Sequence, residues 1–91
     1  KTLDIIPTII ALKEKTEALR KSEIERTLPA LGRLTESQFQ AIETLTMSLA
    51  DKIINDPILA LKNRAGRPGK DTFLDVARKL FNLDAEGEKR S

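Results

Sequence analysis

Thr35-Glu36-Ser37-Gln38-Phe39-Gln40-Ala41-Ile42-Glu43-Thr44-Leu45-Thr46-Met47-Ser48-Leu49-Ala50-Asp51-Lys52-Ile53 is the stretch that decides the fold. It opens with a capping box. Thr35 can accept from the backbone of Gln38, and the Gln38 side chain can reach back to the backbone of Thr35. Leu34 and Phe39 stand where a hydrophobic staple would pack. Behind the box, Phe39, Ile42, Leu45, Thr46, Leu49 and Ile53 recur at steps of three or four, one stripe of an amphipathic helix. Met47, Ala50 and Ile54 widen that stripe, so more than one neighbour can pack on it. The spacing predicts a helix over about 36–55.

Downstream, Asn55-Asp56-Pro57 reads as a joint. Asp56 is a candidate N-cap and Pro57 the first residue of a short third helix. Ile58, Leu59 and Leu61 give that helix an apolar face, and Gly66 can end it. Gly66-Arg67-Pro68-Gly69-Lys70 reads as a loop. Asp71 or Thr72 then caps a fourth helix running to about Asn82, with Phe73, Val76, Ala77, Leu80 and Phe81 on its apolar face. The tail from 84 to 91 is polar.

Upstream, residues 4–27 read as a first helix. Asp4 is a candidate N-cap, and Pro7 falls in the first turn, where its missing N–H costs nothing. Ile5, Ile9, Leu12 and Leu19 supply an apolar line. From Lys13 to Arg26 only Ala18, Leu19 and Ile24 are apolar. Glu17–Lys21, Glu17–Arg20 and Glu23–Arg26 stand at helical ion-pair spacing. Such a half helix can project from the body of the fold. The helix either stops near Thr27 or bends at Pro29 and ends with Gly32 in the left-handed conformation.

Composition agrees with an all-α fold of three to four helices, the first one long. Among 91 residues there are 16 Lys and Arg, 14 Asp and Glu, and neither Trp nor Tyr. Strand-rich domains draw on Val and the aromatics, and Val occurs here once. Cys and His are both absent. That removes disulfides, thiolate nucleophiles, imidazole bases and the usual zinc ligands together. No catalytic, cofactor-binding or metal-binding residue is assigned. No apolar run is long enough to span a membrane. The net charge of +2 is too small to argue for nucleic acid from bulk charge.

Three features have two readings each. The Phe39–Ile53 stripe is either the core of a monomeric bundle or a surface shared between subunits. The run Lys62, Arg64, Arg67 and Lys70 is either a solvated turn or a contact for tRNA phosphates. With no aromatic residue interleaved for stacking, it would not read sequence. Glu14, Glu17, Glu23 and Glu25 are either acid–base pairs or a solvated face; nearly all have a cation one turn away and no pocket-forming pattern surrounds them, so no catalysis is assigned.

Several segments together resemble one family. Lys52-Ile53-Ile54-Asn55-Asp56-Pro57, preceded by Ile42-Glu43-Thr44-Leu45-Thr46, resembles the C-terminal dimerisation domain of glutamyl-tRNA reductases. Glu17-Ala18-Leu19-Arg20 with Glu23-Ile24-Glu25-Arg26 resembles its charged stretch. Ile5-Ile6-Pro7-Thr8-Ile9-Ile10-Ala11-Leu12 looks like its opening, and Leu80-Phe81-Asn82-Leu83 like its close. Asn55 stands where many members carry His.

The resemblance covers about residues 3–83, and it implies a helical dimerisation domain over 1–83. The parent enzyme would reduce glutamyl-tRNA with NADPH to glutamate-1-semialdehyde, toward 5-aminolevulinate and tetrapyrroles, in the cytoplasm. The chain opens on Lys1 rather than Met, and the resemblance makes it a piece of that longer protein. Its first helix would then be the end of a spinal helix, with Pro7 as a kink and Asp4 no true cap. NADPH and the nucleophilic cysteine would belong to other domains. The partner implied is a second copy, with tRNA reached through the parent. The alternative from another class is a small helical RNA-binding module using the Lys62–Lys70 cluster.

Overall fold

A computed structural model describes residues 5–83. Among them three helices form: α1 (Ile5–Leu31), α2 (Glu36–Arg64) and α3 (Lys70–Leu80). The Asp4 cap and the polar tail from 84 onward lie outside the described residues.

Each helix end has a local cause. At the end of α1, Gly32 has φ of 75° and its N–H bonds the Leu28 carbonyl at 3.2 Å. That closes the helix in the left-handed cap expected of glycine. Pro29 sits inside the last turn, so the helix continues past Thr27. The capping box then starts α2. Gln38 N–H donates to Thr35 Oγ1 at 3.0 Å, and Thr35 N–H donates to Gln38 Oε1 at 2.9 Å. At the end of α3, Asn82 takes φ of 56°. Leu83 N–H bonds the Arg78 carbonyl at 2.9 Å and Asn82 N–H the Lys79 carbonyl at 3.2 Å. This is a Schellman motif, with asparagine as its left-handed residue.

Two expectations need correction here. Pro57 does not start a third helix; α2 runs through it to Arg64. The reason lies in the core. Ile54, Ile58 and Leu61 are all buried and share one face at steps of four and three. A break at Pro57 would turn Ile58 and Leu61 away from their partners. The cost is one lost bond to the Ile53 carbonyl, on a residue that is exposed. The last helix is capped by Gly69, with φ of 80° and no side-chain cap bond, rather than by Asp71 or Thr72. Asp71 instead lies in the first turn, where its charge suits the helix dipole.

α1 and α2 form an antiparallel hairpin, and their contacts step down one helix as they step up the other. Ile5 meets Leu61 and Leu12 meets Ile54 and Ile58, while Arg20 meets Thr46. α3 folds back beside the first half of α1. Leu74 and Ala77 join Ile5 and Leu61 in one buried cluster. Leu12, Ile54 and Ile58 form the second, with Ile9 and Leu83 packed against it.

Two polar ties hold α3 in place. Thr8, wholly buried, accepts from Arg78 Nη1 at 2.9 Å. Lys15 Nζ donates to the carbonyls of Phe81 and Asn82 at 2.9 and 3.1 Å. A cation at a helix C-terminus also meets the negative end of its dipole.

The buried hydrophobic core is small: Ile5, Leu12, Ile24, Ile54, Ile58, Leu61, Leu74 and Ala77. Most of it lies at the α3 end of the hairpin. The molecule is correspondingly drawn out, 52 × 31 × 17 Å, with a radius of gyration of 16.3 Å. A compact domain of this length would measure about 12 Å.

Candidate interaction surface

The far half of the hairpin is held by a polar cluster. Arg20 is buried at 8% exposure, although its helix is highly charged there. Its Nε and Nη2 donate to the two carboxylate oxygens of Glu17, and its Nη1 donates to Thr46 Oγ1 at 3.2 Å. The Thr46 hydroxyl also lies 2.9 Å from the Ile42 carbonyl. The hydrogen bond from Arg20 holds the Glu17 carboxyl below its ordinary value, and Glu17 in turn raises Arg20. This half therefore does not project freely from the fold, as its composition suggested. Arg20 and Ile24 bury it against α2.

The α2 stripe divides in two. Phe39, Ile42 and Thr46 are half-buried. Leu45, Leu49 and Ile53 are exposed at 65%, 56% and 64%. The geometry explains the division. Ile54, Ile58 and Leu61 occupy the face turned to α1 and α3, and Leu45, Leu49 and Ile53 form the ridge beside it. Residues spaced by four stack along one helix line.

Leu49 and Ile53 of that ridge line an open groove of about 600 Å³ between the three helices. Leu19 from α1 faces it, with Leu49 and Ile53 from α2 and Leu80 and Phe81 beyond. Leu19 is 56% exposed and Leu80 75%. Reading α2 alone could not have found Leu19, Leu80 and Phe81 as part of this surface. Their signal was there all the same: each is a large apolar residue on a helix whose own core needs are met elsewhere. Contiguous exposed apolar surface of this kind marks an interaction site. Lys15 and Glu23 stand on the same α1 wall, one turn to either side of Leu19.

The basic run is spread over the end of α2, the turn and the start of α3. The Arg64 guanidinium stacks on the Phe73 ring, 4.9 Å from its centre. Lys70 is half-buried and pairs with Asp71 at 3.6 Å. Lys62 lies in the last turn of α2, at the negative end of its dipole. Arg67 is exposed in the turn. Two of the four cations thus have structural work within the chain.

Among the described residues no group of three or more acidic side chains could hold a metal ion. Among the same described residues no helix is long and apolar enough to cross a membrane.

Comparison with known proteins gives one consistent result. Residues 1–83 match the family model described as the dimerisation domain of glutamyl-tRNAGlu reductase. A glutamyl-tRNA reductase of Syntrophobacter fumaroxidans is 45% identical over 87 residues, covering 96% of this chain and 19% of that protein. Glutamyl-tRNA reductase 2 of Koribacter versatilis is 39% identical over 83 residues, 91% of this chain and 19% of its own length. The glutamyl-tRNA reductase of Synechococcus elongatus is 35% identical over 91 residues, 99% of this chain and 21% of its own. The chain spans about a fifth of the length of the curated relatives it matches. No solved structure matches it. These matches lend no support to a free-standing RNA-binding module built on Lys62–Lys70.

Proposed function

Since the chain belongs to the dimerisation-domain family of the glutamyl-tRNA reductases, we propose that the groove lined by Leu49 and Ile53, with Leu45 farther along the same α2 ridge, is the surface through which two copies associate. The observation that carries this reading is the mismatch between core and surface. Among the described residues eight hydrophobic side chains are buried, while Leu19, Leu45, Leu49, Ile53 and Leu80 each stay more than half exposed, four of them on the groove and Leu45 on the α2 ridge that continues it. Covering such side chains recovers about 25 cal/mol per Å² of apolar surface. Thr46, bonded by Arg20, ties α2 to α1 beside that ridge.

The longer protein would be an NADPH-dependent glutamyl-tRNA reductase, an oxidoreductase of tetrapyrrole synthesis working in the cytoplasm. This module would hold its protomers together and take no part in the chemistry. NADPH would bind in another part of the longer protein; the mainly apolar wall of this groove suits a helix face better than the phosphates of a dinucleotide. Contact with tRNA, if this domain makes one, would run through Lys62 and Arg67 with the phosphate backbone.

Concentration-dependent melting tests the reading. A fold completed by its own copy melts at a higher temperature as protein concentration rises. A midpoint that stays constant over a hundredfold range would remove the support.

A further inference from the structure

Resting on that reading, we infer that Lys15 is a positioning residue for self-association. It holds the end of α3 as the third wall of the groove, so that a second copy meets a wall already set. The three walls differ in how they are braced. α1 offers Leu19, α2 offers Leu49 and Ile53, and the end of α3 offers Leu80 and Phe81. The first two are joined behind the groove, where Leu12 packs on Ile54 and Arg20 bonds Thr46. The third has less behind it. The last buried side chain of α3 is Ala77. Past it, Leu80 is 75% exposed and Phe81 37%. Two contacts hold this end against the hairpin: Leu83, packed on the Leu12, Ile54 and Ile58 cluster, and Lys15.

The chemistry of Lys15 suits the task. It stands on the α1 wall one turn before Leu19, and its Nζ donates to the Phe81 carbonyl at 2.9 Å and the Asn82 carbonyl at 3.1 Å. Both carbonyls lie past the last residue of α3, where a helix end leaves acceptors without partners in its own ladder. An ammonium supplies several donors and a full charge, which meets the negative end of the α3 dipole. Lys15 thus grips the backbone at Phe81, a residue that itself lines the groove. A wall ordered in advance spares association the entropy of ordering it. Conversely, a copy seated on Leu80 and Phe81 keeps the end of α3 down, so the Lys15 bonds and association strengthen each other.

A double-mutant cycle on the whole chain tests this role. Lys15→Met removes the ammonium and keeps an unbranched side chain of similar helix propensity. The helical content of its monomer should match the unaltered chain. Its self-association in sedimentation equilibrium should be about threefold to tenfold weaker. Lys15→Arg keeps a cationic donor and should recover most of the loss. Leu80→Ala trims an exposed side chain from the same wall and should also weaken association. Because Lys15 acts by placing that wall, Lys15→Met should cost less in the Leu80→Ala chain than in the unaltered one.

A Lys15→Met chain that associates as tightly as the unaltered one would overturn the inference and leave the groove reading standing. So would a Lys15→Arg chain no better than Lys15→Met, or losses at 15 and 80 that simply add. A Lys15→Met monomer that loses helical content would overturn it too, since Lys15 would then support the protomer rather than set the wall. An unaltered chain that remains monomeric would remove the groove reading and this inference with it.

Discussion

Arg20 Nη1 lies 3.2 Å from Thr46 Oγ1, and this bond joins the far halves of the two long helices. A buried guanidinium needs both its hydrogen bonds and its packed stem. Arg20→Ala should lower the melting midpoint more than Lys21→Ala, whose side chain is exposed and reaches Glu17 only at 3.9 Å. Arg20→Met should fall between them, since it keeps much of the stem. Equal midpoints for the Arg20 and Lys21 variants would show that the bond holds nothing.

The same cluster sets a pH dependence. The folded Glu17 carboxyl lies below its ordinary value of 4.5, chiefly through its hydrogen bond from Arg20. Its contribution to stability is therefore complete above that value and is lost as pH falls toward the folded one. Melting curves from pH 7 to pH 3 should show Glu17→Gln flatter than the unaltered chain below pH about 4.5. Parallel curves would contradict the assignment.

Pro57 within α2 gives a third expectation. Pro57→Ala restores an N–H that can bond the Ile53 carbonyl, so it should stabilise by about 1 kcal/mol. Were Pro57 instead the first residue of a separate helix, the change would be neutral or slightly harmful. Chemical denaturation of the two proteins separates these outcomes.

The capping box gives a fourth. Thr35→Ala should cost about 1 kcal/mol, because Gln38 N–H loses its acceptor. Thr35→Ser should cost much less. Similar losses for the two would assign the effect to the methyl group.

Why the capping box was legible and Pro57 was not is a matter of range. Thr35 and Gln38 settle their bonds within four residues, so the pattern states the structure. Asp-Pro looks the same locally at a helix start and in a helix interior. The spacing of Ile54, Ile58 and Leu61 ran unbroken across Pro57, and it was the better guide. The α2 stripe was visible as apolar. Its division into a half-buried part and an exposed ridge depends on where α1 and α3 lie, and no period within α2 contains that. Lys15 reaching Phe81 and Asn82 spans more than sixty residues, and no local pattern announces it. Arg20 looked like one more solvated charge. Only the nearness of Thr46 buries it.

The exposed ridge also sharpens a mutational test. Leu49 is 56% exposed in the protomer, so Leu49→Asp should leave helical content nearly intact. It should weaken self-association about tenfold or more, since it sets a charge in a surface that pairing desolvates. Loss of helix together with dimer would instead place Leu49 in the protomer core.

The most direct measurement is sedimentation equilibrium of the unaltered chain at micromolar concentration. The account predicts a mass about twice 10.2 kDa. A stable helical species at 10.2 kDa, unchanged as concentration rises, would contradict it.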